Sequence, residues 1–221
     1  MQLSDKTITS WDDGSPYDLK LAELLDKHNI RGVFYVPITN QERGVMSKNQ
    51  IRQLSEKFEI GGHTYSHVNL RSISLKEAEK EIVSGKKELE DILGKSIEKF
   101  CYPKGMFDEN IKKIVKNSGF KEARTARIIF TGKSSDPFEV NPNLHVYNHM
   151  KIVYLAHCLK NSDFKTAIKI FGLQKPGFIG TAEQLFSAGF HIWGHSWEIE
   201  EKGLWGDLEK FLRFTKIDSD K

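Results

Sequence analysis

Short runs rich in β-branched and aromatic residues alternate along the chain with longer stretches whose apolar positions recur every three to four residues. Residues 6–10 (KTITS) fit a strand, and residues 17–27 fit a helix with Leu19, Leu21, Leu24 and Leu25 gathered on one side. Residues 31–37 (RGVFYVP) read as a buried strand, and Ser47 as the cap of the helix SKNQIRQLSEKF. A short strand over 59–63 (EIGGH) precedes the longest helical pattern, which opens at Ser74 and closes at Gly94. Strands at 99–102 and 121–126 flank a helix over 109–118. Residues 128–148 are irregular and carry the loop signature DPFEVNPN. A helix over 151–160, a strand over 190–194 (FHIWG) and a helix over 204–214 complete the pattern. Strand and helix in alternation predict βα units around a largely parallel sheet or barrel. No repeat, low-complexity tract or linker interrupts it, so residues 1–221 read as one domain.

Composition narrows the functional classes. At 38% hydrophobic and 29% charged residues, the chain can bury a sizeable core and is not disordered. A net charge of +3 gives no nucleic-acid or polybasic-membrane footprint. Cys101 and Cys158 form no metal knuckle or disulfide framework and read as packing residues. No run approaches the roughly 20 apolar residues of a membrane span, and the N-terminal MQLSDKTITSWDDG lacks the features of a secretory leader. The sequence therefore predicts no membrane insertion and a cytoplasmic location.

Chemistry-bearing residues fall just after the predicted strands, where this architecture places its sites. Asp12 and Asp13 follow the first strand, His63 and His67 the third, and His195 the last. Histidines four apart occur three times, as His63/His67, His145/His149 and His191/His195. The last pair lies along a strand, where four residues span about 13 Å, too far to chelate one ion. His145/His149 sits in a polar loop and reads as surface or substrate-proximal. His63/His67 leaves its strand through two glycines that allow a sharp turn, and is the best ligand pair. Two imidazoles and a carboxylate with an open fourth position make a catalytic zinc site. A second carboxylate can then act as general base, and a histidine from another strand as general acid.

These residues stand in four ordered motifs: SWDDG (10–14), HTYSH (63–67), FCYPKG (100–105) and FHIWGHSWE (190–198). In them the chain resembles the polysaccharide deacetylases, carbohydrate esterase family four, also called the NodB homology domain. The resemblance spans nearly the whole chain and implies a distorted (β/α) barrel that removes N- or O-acetyl groups from sugars. It implies Asp12 as general base, Asp13, His63 and His67 as ligands of one divalent metal, and His195 as general acid. Zinc is the expected ion, with cobalt or nickel compatible with the same ligands. The metal and a backbone N–H near Tyr102 would steady the oxyanion, with Tyr102 and Trp197 at the substrate. Trp193 reads as core.

The chain also departs from the family pattern. Cys101 stands where many members carry an arginine, and the motif that orients the acid histidine is missing. Arg124 is expected to supply the guanidinium beside Asp12, and Glu198 or another carboxylate to orient His195. The expected partner is an acetylated sugar or oligosaccharide. A non-sugar amide or imide hydrolase on the same scaffold, or a carbohydrate-binding pseudoenzyme, are the alternatives.

Overall fold

A computed structural model describes residues 7–174, 177–185 and 190–217. Seven strands form one sheet: β1 (Ile8–Asp12), β2 (Arg31–Val36), β3 (Glu59–Gly62), β4 (Lys99–Cys101), β5 (Glu122–Arg124), β6 (Leu144–His145) and β7 (His191–Gly194). Their order is β5-β4-β3-β2-β1-β7-β6, and each neighbouring pair is parallel. Helices α1 (Asp18–Lys27), α2 (Lys48–Ser55), α3 (Leu75–Leu93) and α4 (Glu109–Asn117) connect the strands of the first half. α5 (Lys151–Lys160), α6 (Phe164–Phe171) and α7 (Gly177–Leu185) lie between β6 and β7, and α8 (Ser196–Glu201) and α9 (Trp205–Ile217) follow β7.

The local chemistry explains these elements. β2 is buried over five of its six positions, as expected of a strand covered on both faces. α3 opens with a capping box, in which the Ser74 hydroxyl accepts from the Glu77 N–H and the Glu77 carboxylate accepts from the Ser74 N–H. It closes on Gly94 at φ 66°. Between these ends Ala78, Ile82, Gly85, Leu89 and Ile92 form one buried stripe against the sheet.

The two outer strands do not pair with each other directly. The irregular stretch predicted at 128–148 spans the gap between them. Val140 bridges to Arg124 in β5, and Ile129 bridges to Leu144 in β6. The architecture is thus the expected distorted (β/α) barrel, incompletely closed on this side. β6 itself corrects the sequence reading of a loop at His145. It is two residues long, too short for a period-two pattern, and it exists because it pairs with β7. α6, α7 and α8 were likewise not foreseen. Among the described residues, no helix is long and apolar enough to cross a membrane.

Candidate active site

Because every paired strand runs the same way, their C-terminal ends share one mouth. β1 delivers Asp12 and Asp13, β3 His63, β5 Arg124, β6 His145 and β7 His195. Asp13, Thr64 and His67 all adopt left-handed conformations, at φ 78°, 66° and 56°. Such strain in non-glycine residues is held by the surrounding structure and gathers at functional sites.

His63 and His67 do converge, though not by the sharp glycine turn that the sequence suggested. Gly61 and Gly62 are not in the left-handed region. Gly61 is small because a Cβ there would run into the Tyr35 ring. Thr64 and His67 make the turn instead, and α3 holds it. The Glu81 carboxylate accepts from the Tyr65 and Ser66 N–H groups at 3.1 and 2.8 Å and from the Ser66 hydroxyl at 2.9 Å.

The His63 Nδ1 lies 2.8 Å from the Cys101 carbonyl, which turns its Nε2 towards Asp13. His63 Nε2 and His67 Nε2 stand 3.5 and 3.0 Å from Asp13 Oδ1. Neither contact has hydrogen-bond geometry, so this buried oxygen is left without a hydrogen-bond partner. Ligands of a tetrahedral zinc ion at its usual bond lengths sit about 3.3 Å apart. The donor set and its spacing therefore fit a divalent cation. Asp13 Oδ2 accepts from the Trp197 indole N–H at 2.9 Å. Burial pushes the Asp13 carboxyl up, but His63, His67 and His195 outweigh it and hold the group far below the usual carboxylate range.

Asp12 lies beside this cluster, and both of its oxygens are engaged. Arg124 Nη2 donates to Oδ1, and the Cys101 thiol faces Oδ2 at 3.5 Å. The guanidinium also donates to the Thr125 carbonyl at 2.7 Å and lies 4.8 Å from the Trp193 ring centroid. Burial raises the Asp12 carboxyl, and Arg124, with His63 and His195, reverses the shift and leaves it lowered. Arg124 is thus placed beside Asp12, with Cys101 packed between them. Burial pushes the Cys101 thiol well up.

Across the mouth, His195 Nε2 lies 3.9 Å from Asp13 Oδ2, and its Nδ1 faces Glu198 Oε2 at 3.2 Å. The same carboxylate oxygen lies 3.0 Å from His145 Nε2. His145 is buried, stacks on Trp193 at 4.3 Å, and meets His149 Nε2 through its Nδ1 at 2.9 Å. Burial opposes ionisation of Glu198, but the two histidines carry it down to about 2. Burial lowers His195, while Glu198, Asp13 and Asp12 together raise it. His191, at the opposite end of β7, bonds Ser10 Oγ at 2.7 Å and is remote from this cluster.

Two substrate assignments change. The Tyr102 side chain is fully buried, with its hydroxyl donating to the Phe138 carbonyl at 3.0 Å. Its N–H donates to the Arg124 carbonyl at 3.2 Å, so neither group is open to a ligand. The Trp197 ring is flanked by the Arg43 guanidinium at 3.3 Å and by the His195 imidazole at 5.0 Å. It reaches the site through Asp13 rather than as an open stacking face. Trp193 is buried, as read from the sequence, and His145, His195 and the Arg124 guanidinium pack against its ring. Sequence reasoning missed Glu81, which carries no motif signal, and of its two readings for His145, surface or substrate-proximal, burial beside Glu198 excludes the first.

Residues 3–123 match the family model described as polysaccharide deacetylase. The chain belongs to the polysaccharide deacetylase family. It is 25% identical over 192 residues to the peptidoglycan-N-acetylmuramic acid deacetylase PdaA of Bacillus subtilis (strain 168), covering 79% of this chain and 68% of that one. Its fold is similar to that of a family 4 carbohydrate esterase from Streptomyces lividans (TM-score 0.61, 14% identity, 96% of this chain and 89% of that one). It is also similar to that of a CE4 family pseudoenzyme from Bacillus anthracis (TM-score 0.58, 13% identity, 98% and 62%). Three further solved deacetylase structures are spanned over only 45% to 62% of their own length.

Proposed function

We propose that this polysaccharide deacetylase hydrolyses the acetyl amide of an amino-sugar-containing carbohydrate, with a divalent metal, zinc by ligand type, held by Asp13, His63 and His67. The observation that carries this reading is the juxtaposition of a His₂Asp donor set with a second, buried carboxylate on one side and a carboxylate-held histidine on the other. When bound, the metal would polarise the acetyl carbonyl and acidify water. Asp12 takes a proton from the attacking water through Oδ2, which faces only the weak Cys101 thiol donor at 3.5 Å, whereas Oδ1 is committed to Arg124. The water oxygen bonds to the carbonyl carbon, and the C–N bond breaks. His195 gives its Nε2 proton to the departing nitrogen, so acetate and a free amine are formed. Glu198, bonded to Nδ1, keeps Nε2 turned to the substrate side. An acetyl ester could be cleaved by the same groups.

The test is metal content and acetate release measured together, on acetylated glucosamine oligomers, for the wild type, His63→Ala and Asp12→Asn. The wild type should bind about one equivalent of zinc and release acetate; His63→Ala should lose both. Asp12→Asn should keep the metal and lose turnover by about 10²–10⁴-fold, the usual worth of a positioned base. A wild type that binds no divalent metal would overturn the hydrolase reading. It would favour a carbohydrate-binding module, since a pseudoenzyme shares this fold.

A further inference from the structure

The most exposed large apolar side chains are all in one place. Met150, Ile152, Leu159, Phe164, Ile168 and Phe171 are 60–75% exposed, whereas no other such residue among those described exceeds the 52% of Ile8. All six lie on the hairpin made by α5 and α6. The core-facing sides of these helices are already satisfied by Tyr154, Cys158 and Ile170, which are buried. Phe164, Ile168 and Phe171 follow at four- and three-residue spacing, one stripe along α6 on the side away from the core. Exposed apolar side chains concentrated in this way on two packed helices mark an interaction surface.

The charges around the patch identify its occupant. Residues 150–174 carry Lys151, Lys160, Lys165 and Lys169 against one acid, Asp163. That acid is turned inwards, capping α6 through the Thr166 N–H, with its side chain only 14% exposed. Lys160, Lys165 and Lys169 are exposed and have no ion-pair partner among the described residues. A second copy docked face to face would set lysines against lysines with no carboxylate between them. An anionic lipid surface would pair with the lysines while its acyl boundary takes up the phenylalanines and isoleucines.

We infer that the α5–α6 hairpin is a membrane-docking surface that seats the protein on an anionic bilayer without crossing it. The placement concerns the site as well. α5 begins two residues after His149, which contacts His145, which in turn contacts the carboxylate holding His195. Resting on the proposed deacetylase reading, docking would bring the catalytic mouth to sugars carried at a membrane surface. The docking itself does not depend on that reading.

Flotation of the full chain with phosphatidylcholine vesicles, with and without 30% phosphatidylglycerol, tests the inference. Binding should require the anionic lipid and weaken as salt is raised. The pairs Ile168→Asp/Phe171→Asp and Lys165→Glu/Lys169→Glu should each lose at least tenfold in vesicle affinity. Because these side chains are exposed, the thermal transition should hardly move. Asp12→Asn should bind vesicles as the wild type does, which separates docking from the failure of the hydrolase reading. Absence of wild-type binding, or binding indifferent to the lysine reversals, overturns the inference. So does a concentration-dependent dimer that Ile168→Asp/Phe171→Asp splits while vesicles remain unbound.

Discussion

Asp12 and Arg124 are 3% and 1% exposed and come from strands four places apart in the sheet. A carboxylate so enclosed stays ionised only beside a cation. β5 brings that cation to Asp12, where the neutral Cys101 thiol supplies none. Arg124→Ala leaves the charge uncompensated, and breaking a buried pair costs about 3–5 kcal/mol. Turnover should fall sharply and the denaturant midpoint should drop, while zinc stoichiometry stays near one, because Arg124 touches none of the three proposed ligands. Asp12→Ala added to Arg124→Ala should recover part of the lost stability. An Arg124→Ala enzyme with unchanged turnover would remove the residue from the mechanism. The sequence made this pair a reasonable expectation because Arg124 falls near the C-terminal end of a predicted strand. It gave no hint that the Trp197 N–H would hold the second oxygen of Asp13, since that contact crosses 184 residues.

At the scale of elements, the His63–His67 turn depends on α3. Gly85 sits in the middle of that helix, where alanine would ordinarily be better by about 1 kcal/mol. Here a Cβ would meet the Thr64 carbonyl carbon and oxygen at 2.6 and 2.7 Å, and backbone has no rotamer by which to move aside. The clash outweighs the propensity, so Gly85→Ala should displace the turn. Glu81→Gln should weaken its hydrogen bonds to the two N–H groups. Each should reduce zinc affinity about 10–100-fold, the usual effect of losing a ligand's support. Competition with a chromophoric chelator would measure this, and wild-type affinity in both variants would detach α3 from the site. The helix itself was plain in the sequence, with its Ser74 cap and Gly94 stop, because those signals are local. What it packs against was not. The same division explains β6 and α6. β6 is a strand only because β7 lies beside it, and α6 (FKTAIKIF) shows apolar residues on two sides, which blurs the one-sided pattern that marks an ordinary surface helix.

Over the whole molecule, histidines are unevenly placed: five of the eight lie in the sector built from β6, α5 and β7. Three of these are held neutral outside the immediate reach of Asp13, His63 and His67. Burial lowers His149 and His157 to about 4, with nearby cationic groups adding to the effect, and lowers His191 to about 3. In an unfolded chain each would titrate near 6.5. Between pH 6.5 and 4 the unfolded chain therefore holds more protons than the folded one, and stability falls as the pH falls. His145 is shifted the same way by its burial. His195 is raised by its carboxylate neighbours and Asp18 well raised by burial, so both contributions have the opposite sign, present at the lower pH and lost as the pH rises. The four lowered histidines outnumber them. Metal-free protein should therefore lose thermal stability steadily from pH 7 to 4.5, before ordinary carboxylates begin to protonate near 4. His191→Gln, which keeps a hydrogen-bonding group for Ser10, should flatten that fall. Hydrogen exchange at pH 5 should show β6, α5 and β7 opening ahead of β2 and β3. A melting temperature independent of pH across this window would mean that these histidines meet water in the folded state, and that the β6–β7 side is looser than its packing implies.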